Sequence, residues 1–223
     1  MQLIIFDCDG TLVDSQHKIC AAMAHAFTAM ALPVPARAEI LGIVGLSLPQ
    51  VFAVLAPEQP ASVQAELVEH YRMDFPARPR EAALHDPLFA GVGALVATLA
   101  RRGDLVLGMA TGKSRRGVAR ILEREGWCGH FLTVQTADDH PSKPHPSMIL
   151  QAIAEVGADA ATTTMVGDTT YDIEMALNAG VRGVGVGWGY HEPARLLHAG
   201  AERVVNSSEE LLAAIAEPLG APA

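Results

Sequence analysis

The sequence predicts an α/β protein: a doubly wound, Rossmann-like parallel sheet with a helical module inserted near its start. Three observations carry that expectation. Leu3-Ile4-Ile5-Phe6 is an unbroken apolar run, as in a strand buried on both faces of a parallel sheet. From Gly91 onward apolar runs alternate regularly with helical patterns, which implies right-handed strand–helix–strand crossovers. Between these lies a stretch of about 65 residues with helical pieces and no convincing strand, the pattern of a module set into the sheet rather than part of it.

The first strand ends on charge. Asp7 and Asp9 stand two apart and share a face of an extended backbone, and Gly10 frees the chain to turn away. Two carboxylates at a strand end call for a cation, and a hard, oxygen-preferring ion such as Mg²⁺ fits. A calcium loop does not: its last ligand should be Glu, and Lys18 stands there. Asp14 or Ser15 is positioned to cap a helix to about Ala31, where Pro33 and Pro35 stop it. Short helical pieces follow to Arg80, broken at Gly42, Gly45, Pro57 and Pro60. Gly42 and Gly45 mark either a loop that approaches a ligand or a plain interhelical turn. Arg78-Pro79-Arg80 and Asp86-Pro87 read as the returning linker, giving a core of residues 1–14 and 84–223 around a helical module of residues 15–83.

Beyond Gly91 the expected elements are a helix to Arg102, a strand from Leu105 to Ala110, and a helix capped by Ser114 that runs to Glu125 and stops at Gly126. Strands at Phe131–Thr136, Thr163–Val166 and Val184–Val186 follow, with helices at Ser147–Val156 and Tyr171–Asn178 between them. Val204-Val205 reads as an edge strand before a closing helix from Ser207 or Ser208 to about Ala216, with a frayed tail from Pro218.

Composition narrows the function. The 223 residues are half hydrophobic and 18% charged, as in a compact globule. A net charge of -9 argues against a nucleic-acid surface, while leaving room for a small anion in a locally basic pocket. Cys8, Cys20 and Cys128 form no framework of pairs and no signal peptide pattern precedes the first strand, so the expected compartment is the reducing cytoplasm. No apolar run approaches the roughly 20 residues that span a bilayer. Cys8 reads as a small buried side chain. Neither His140/His145 nor Cys128/His130 completes a four-ligand zinc set. Oligomeric state leaves no mark on the sequence.

In open α/β sheets ligands bind beyond the carboxyl ends of the strands. That rule gathers Asp7 and Asp9, then Thr111-Gly112-Lys113-Ser114, then Lys143, then Gly167-Asp168 with Asp172. Singly, each has a plainer reading: Thr111 a strand-end cap, Lys143 a surface lysine, Asp168 and Asp172 helix caps. A nucleotide-cradling Gly-Lys-Ser loop is ruled out, because Leu107 stands where its first glycine belongs. The Gly183–Gly189 run lacks dinucleotide spacing and reads as a strand end and loop. Together the four strand ends offer acids, an anion-binding turn and a point positive charge, the needs of magnesium-assisted phosphoryl transfer.

DCDGTLVDS, ATGKSRRG, SKPHP and VGDTTYDIEMALNAG resemble, in order, the four motifs of the haloacid dehalogenase superfamily, in its phosphoglycolate-phosphatase-like branch with a helical cap. The resemblance implies an aspartyl-phosphate mechanism with Asp7 as nucleophile and Asp9 as acid and base. It implies Mg²⁺ on the Asp7 side chain, the Asp9 backbone carbonyl and Asp168, with Asp172 ordering the water around it. Thr111, Gly112 and Lys143 would hold the phosphate, and Gly10 and Thr11 would shape a turn that lets the cap swing. The expected activity is hydrolysis of a small phosphorylated metabolite such as 2-phosphoglycolate, with no role for nucleic acid or membrane. A sugar-phosphate mutase on the same fold and a non-enzymatic binding module are the competing readings. Intact Asp7, Asp9, Lys143 and Asp168 speak against the binding module.

Overall fold

The computed structural model of the chain describes residues 1–77 and 86–216. Its frame is a six-stranded, all-parallel sheet in the order β3-β2-β1-β4-β5-β6. The strands are β1 (Gln2–Phe6), β2 (Leu105–Thr111), β3 (Phe131–Thr136), β4 (Thr163–Gly167), β5 (Arg182–Val186) and β6 (Arg203–Val205). Chain order reverses direction across the sheet at β1, which lies between β2 and β4. A cleft opens beyond the carboxyl ends of strands at such a reversal.

Among the described helices, α1 (Gln16–Ala29), α2 (Arg37–Leu41), α3 (Leu48–Leu55) and α4 (Ala61–Ala77) precede β2 together with α5 (Val92–Leu99). Then come α6 (Arg115–Arg124), α7 (Ser147–Val156), α8 (Thr170–Asn178), α9 (Pro193–His198) and α10 (Ser208–Ala216). Both faces of β1 are covered. Leu3 and Ile5 pack with Met148 and Ile149 of α7 and Met175 of α8, while Ile4 and Phe6 pack with residues of α5, α6 and α10. That two-sided burial is why the run carries no polar alternation. Each such side chain contributes on the order of 1.5–3 kcal/mol.

A separate apolar cluster joins the first four helices, with Ile19, Met23 and Phe27 of α1 against Phe52 of α3 and Leu67 and Tyr71 of α4. Phe52 is central, its ring centroid 6.0 Å from Phe27 and 6.3 Å from Tyr71. The chain leaves and re-enters the sheet region side by side. Val13 bridges Leu88 antiparallel, Asp14 N donates to the Pro87 carbonyl at 2.8 Å, and Phe89 N donates to the Leu12 carbonyl at 3.2 Å.

Some expectations change. α1 ends at Ala29 and α5 at Leu99, each short of its expected stop. Helix α9 was not foreseen. Ser15 stands at the N-cap of α1 without capping it, because its hydroxyl is taken by Asp9; the Asp14 side chain accepts from Gln16 N at 3.3 Å instead. Arg78-Pro79-Arg80, the boundary at residues 83 and 84, and the tail from Pro218 lie outside the described residues. No described helix is long and apolar enough to cross a membrane.

Candidate active site

The floor of the site is built by β1 and its neighbours. Asp7 N donates to the Val166 carbonyl at 2.9 Å, so the sheet ladder still holds the backbone where the first carboxylate projects. Lys143, fully buried beyond β3, places Nζ 2.6 Å from Asp172 Oδ1 and 2.9 Å from Asp7 Oδ1. The bond to Asp172 is well aligned; the approach to Asp7 is an ion pair without hydrogen-bond alignment, so both buried Asp7 oxygens accept no hydrogen bond. Asp168 is held from two sides, with Thr11 Oγ1 donating to Oδ1 at 2.9 Å and Tyr190 N donating to Oδ2 at 2.9 Å. Asp172 is fixed by α8, its Oδ2 accepting from Thr169 N at 3.0 Å in a capping box.

Gly10 and Thr11 thus serve Asp168. Gly10 has φ +87°, and a Cβ there would lie 2.1 Å from Asp168 Oδ2, so only glycine lets the turn pass under that carboxylate. Cys8 between the two aspartates is wholly buried in the core.

Electrostatics at the floor are unbalanced. Burial pushes the Asp7 carboxyl up to about 6 despite the pull of Lys143. Burial, then Asp172 and Asp7, hold Asp168 well above the usual carboxylate range. Burial alone would pull the Lys143 ammonium down, but Asp172 and Asp7 outweigh it and keep the lysine charged. Asp7, Asp168 and Asp172 each bring one oxygen to within 4.8 Å of the others. Three buried carboxylates against one ammonium, with both Asp7 oxygens unbonded, form an all-oxygen donor set that fits a hard divalent cation.

Asp9 turns to a different set of partners. Lys113 Nζ donates to Asp9 Oδ1 at 2.7 Å and to Oδ2 at 3.0 Å, and Ser15 Oγ donates to Oδ1 at 2.6 Å. Tyr190 OH in turn accepts from Ser15 N at 3.1 Å. Burial opposes the charge on Lys113, and Asp9 more than restores it.

Above the floor, the loop of residues 42–47 between α2 and α3 presses onto the core through backbone atoms. A Cβ on Gly112 would lie 2.6 Å from the Gly45 carbonyl oxygen, so the turn after β2 and this loop touch main chain to main chain. Ser47 N donates to Ser142 Oγ at 2.8 Å, beside Lys143. The Gly42 carbonyl accepts from Tyr171 OH at 3.2 Å and lies 3.1 Å from His191 Nε2, while His191 Nδ1 accepts from Thr170 N at 3.1 Å. That pairing fixes the neutral tautomer with its proton on Nε2, and burial lowers the His191 pKa. Gly42 and Gly45 therefore belong to a loop that meets the core.

Beneath the loop lies a cleft of about 750 Å³ lined by Asp7, Asp9, Thr111, Gly112 and Lys113 on the core side and Ile43–Leu48 opposite. Thr111 Oγ1 accepts from Lys113 N at 3.2 Å. Lys18 also faces the cavity, paired with Asp86 at 3.1 Å, whereas His17 is exposed.

The structure brings Asp7, Lys143, Asp168 and Asp172 into one cluster and sets Asp9, Thr111 and Gly112 around the adjoining cavity. It separates the Asp9 side chain from the three-carboxylate group. The sequence does not mark Lys113 and Ser15 as partners of Asp9, nor Tyr190 as a partner of Asp168. Lys113 stood in view in the Thr-Gly-Lys-Ser turn, at a strand end facing Asp9 across the reversal point. For Tyr190, 22 residues beyond the acid it braces, no local pattern gives a signal.

Comparison with known proteins adds independent findings. Residues 4–186 match the family model described as haloacid dehalogenase-like hydrolase. A probable phosphatase IndB of Dickeya dadantii is 39% identical over 95% of this chain and 92% of its own length. The tyrosine-protein kinase PtkA of Mycobacterium tuberculosis is 33% identical over 85% of this chain, which spans 63% of that protein. A phosphoglycolate phosphatase of Agrobacterium fabrum is 28% identical over 84% of this chain and 81% of its own length. The solved structure of a predicted phosphatase from Clostridium acetobutylicum superposes with a TM-score of 0.85 at 25% identity, covering 96% of this chain and 97% of that one.

Proposed function

The chain belongs to the haloacid dehalogenase-like hydrolase family as a phosphatase, and we propose that it hydrolyses a small phosphate monoester in a Mg²⁺-dependent reaction. The observation that carries this reading is the buried cluster of Asp7, Asp168, Asp172 and Lys143, which meets the adjoining cavity at Asp7, with both Asp7 oxygens free of hydrogen bonds. Asp7 and Asp168, with the Asp9 backbone carbonyl, would hold Mg²⁺ and Asp172 would order its water; when bound, the ion supplies charge neutralisation at the phosphate and keeps Asp7 ionised.

The chain's own residues then divide the work. Asp7 attacks phosphorus and takes the phosphoryl group. Asp9 gives a proton to the departing oxygen and later takes one from the attacking water, with Lys113 and Ser15 fixing its orientation. Thr111, the Gly112 amide and Lys143 hold the phosphoryl oxygens as charge spreads over them. The helical module of residues 15–83 acts as a cap whose loop of residues 42–47 excludes bulk water. Free cysteines accord with a cytoplasmic setting.

A panel of phosphorylated metabolites assayed for phosphate release, with Mg²⁺ and with chelator in ¹⁸O-labelled water, tests this. Release should stop on chelation and one labelled oxygen should enter each phosphate. Unlabelled phosphate, turnover indifferent to chelation, or conversion of a hexose 1-phosphate to its 6-phosphate without phosphate release would each overturn it.

A further inference from the structure

The cavity carries more positive charge than the phosphate site needs. Arg116, Arg120 and Arg124 line it from α6, and their spacing of four residues sets them on one stripe of the helix. Neither Arg116 nor Arg120 has an ion-pair partner among the described residues, although other arginines of the region are paired: Arg115 with Asp139 outside the cavity, Arg124 with Glu125, Arg72 with Glu69. Asp86 and Asp138 also line the wall, but Asp86 is bound by Lys18 and Asp138 accepts from Arg115 N at 2.8 Å. Two guanidinium groups with no ion-pair partner among the described residues thus stand at the solvent-facing rim of this pocket, in a chain whose net charge is -9.

The geometry points to a second anion subsite on α6, formed by Arg116 and Arg120, so that the substrate is a phosphate monoester bearing a further carboxylate or phosphate at its far end. Helix rise sets the scale: the stripe runs outward from the Gly112 turn, with about 6 Å from Arg116 to Arg120 and about 12 Å to Arg124. An anion held at Arg120, one helical turn beyond Arg116, would be joined to the phosphate by a body of several carbons. A cavity of about 750 Å³ accommodates such a molecule and is far larger than a two-carbon acid phosphate needs. Guanidinium groups suit either anion because their paired donors match carboxylate and phosphate oxygens. Ile19, Met23, Val44 and Val51 on the opposite wall face the intervening body.

This subsite rests on the phosphatase reading but is tested apart from it. Matched ligands isolate the second charge: 6-phosphogluconate against sorbitol 6-phosphate for a carboxylate, and fructose 1,6-bisphosphate against fructose 6-phosphate for a phosphate. Calorimetric binding to Asp7→Asn, which removes turnover, should favour one acidic member by roughly tenfold or more over its neutral partner. The pair that shows the preference identifies the anion. Adding Arg116→Ala and Arg120→Ala should collapse that ratio towards one, and both sites are exposed helix positions where alanine is well tolerated. Arg115→Ala, which also removes a positive charge from α6 but outside the cavity, should leave the ratio intact. In the otherwise unaltered enzyme the same double substitution should lower the ratio of kcat/KM values through KM. Equal binding of acidic and neutral members, or a ratio that survives loss of both arginines, overturns the subsite. Selective binding without hydrolysis of any monoester would keep the subsite and sink the phosphatase reading.

Discussion

At the carboxyl edge of the sheet, Asp7, Lys143, Asp168 and Asp172 are almost wholly removed from solvent and are held by side-chain bonds to one another and to neighbouring backbone. Across the cavity, the helical layer meets the core through main-chain atoms: the Gly42 and Gly45 carbonyls and the Ser47 amide. The floor depends on which residues are present, because each charge needs its counterpart. The lid depends on backbone shape, which many sequences can supply. Chemistry should therefore be sensitive to single side chains at the floor and tolerant at the lid, where the cost of a change is set by displacement rather than charge.

The largest break in this contrast should come from Asp7→Asn. An amide is a poor nucleophile and a neutral ligand, so turnover should fall by more than about 10³-fold in freshly purified protein free of deamidation. A variant that keeps most of its rate would remove Asp7 from the chemistry. Next comes Lys143→Met, which takes the only ammonium from among three buried carboxylates. Turnover should drop by roughly two orders of magnitude, and thermal unfolding should shift down because Asp7 and Asp172 lose their partner. Unchanged kcat together with unchanged melting would mean that the floor does not depend on charge pairing.

Gly112→Ala probes the boundary between the regions. Its Cβ would meet the Gly45 carbonyl at 2.6 Å, so the lid must lift without loss of any charged group. A fall of about tenfold in kcat/KM is expected, from misplacement of the loop over the substrate. An unaffected rate would show that the lid need not seat on this turn. Smallest of all should be Tyr171→Phe, which removes one of the two donors at the Gly42 carbonyl and leaves His191 in place. Stability should change by no more than about 1 kcal/mol and kcat/KM by about twofold. A loss as large as that of Lys143→Met would erase the distinction between floor and lid.

The same division explains what was legible in the sequence. Phe131–Thr136 and Ser147–Val156 were read with their observed bounds, and the four strand ends were named with the residues that gather there. Buried parallel strands announce themselves through composition, and turn glycines and acids punctuate their ends. The Lys113–Asp9 bridge was not legible, since it joins residues 104 apart that only the strand order brings together. Ser15 was read as a cap because local chemistry favours that role, and a tertiary partner took its hydroxyl instead. Helix α9 is six residues long, too short for a periodic signal, although Pro193 in its first turn is a recognised start mark. Contacts through the Gly42 and Gly45 carbonyls carry no sequence signature, because every residue has a carbonyl.

The side-by-side crossing of Leu12–Asp14 and Pro87–Phe89 has a consequence for protein engineering. Because the outgoing and returning segments are hydrogen-bonded to each other, the chain leaves and re-enters the core at one narrow doorway. Helices α1 to α4, which share one apolar cluster, can therefore be exchanged as a unit through that doorway. A short reverse turn across the doorway would yield an open-faced scaffold with its acids within reach of a phosphate on a large polymer, and an unrelated helical insert with closely spaced ends would graft in with little entropic penalty.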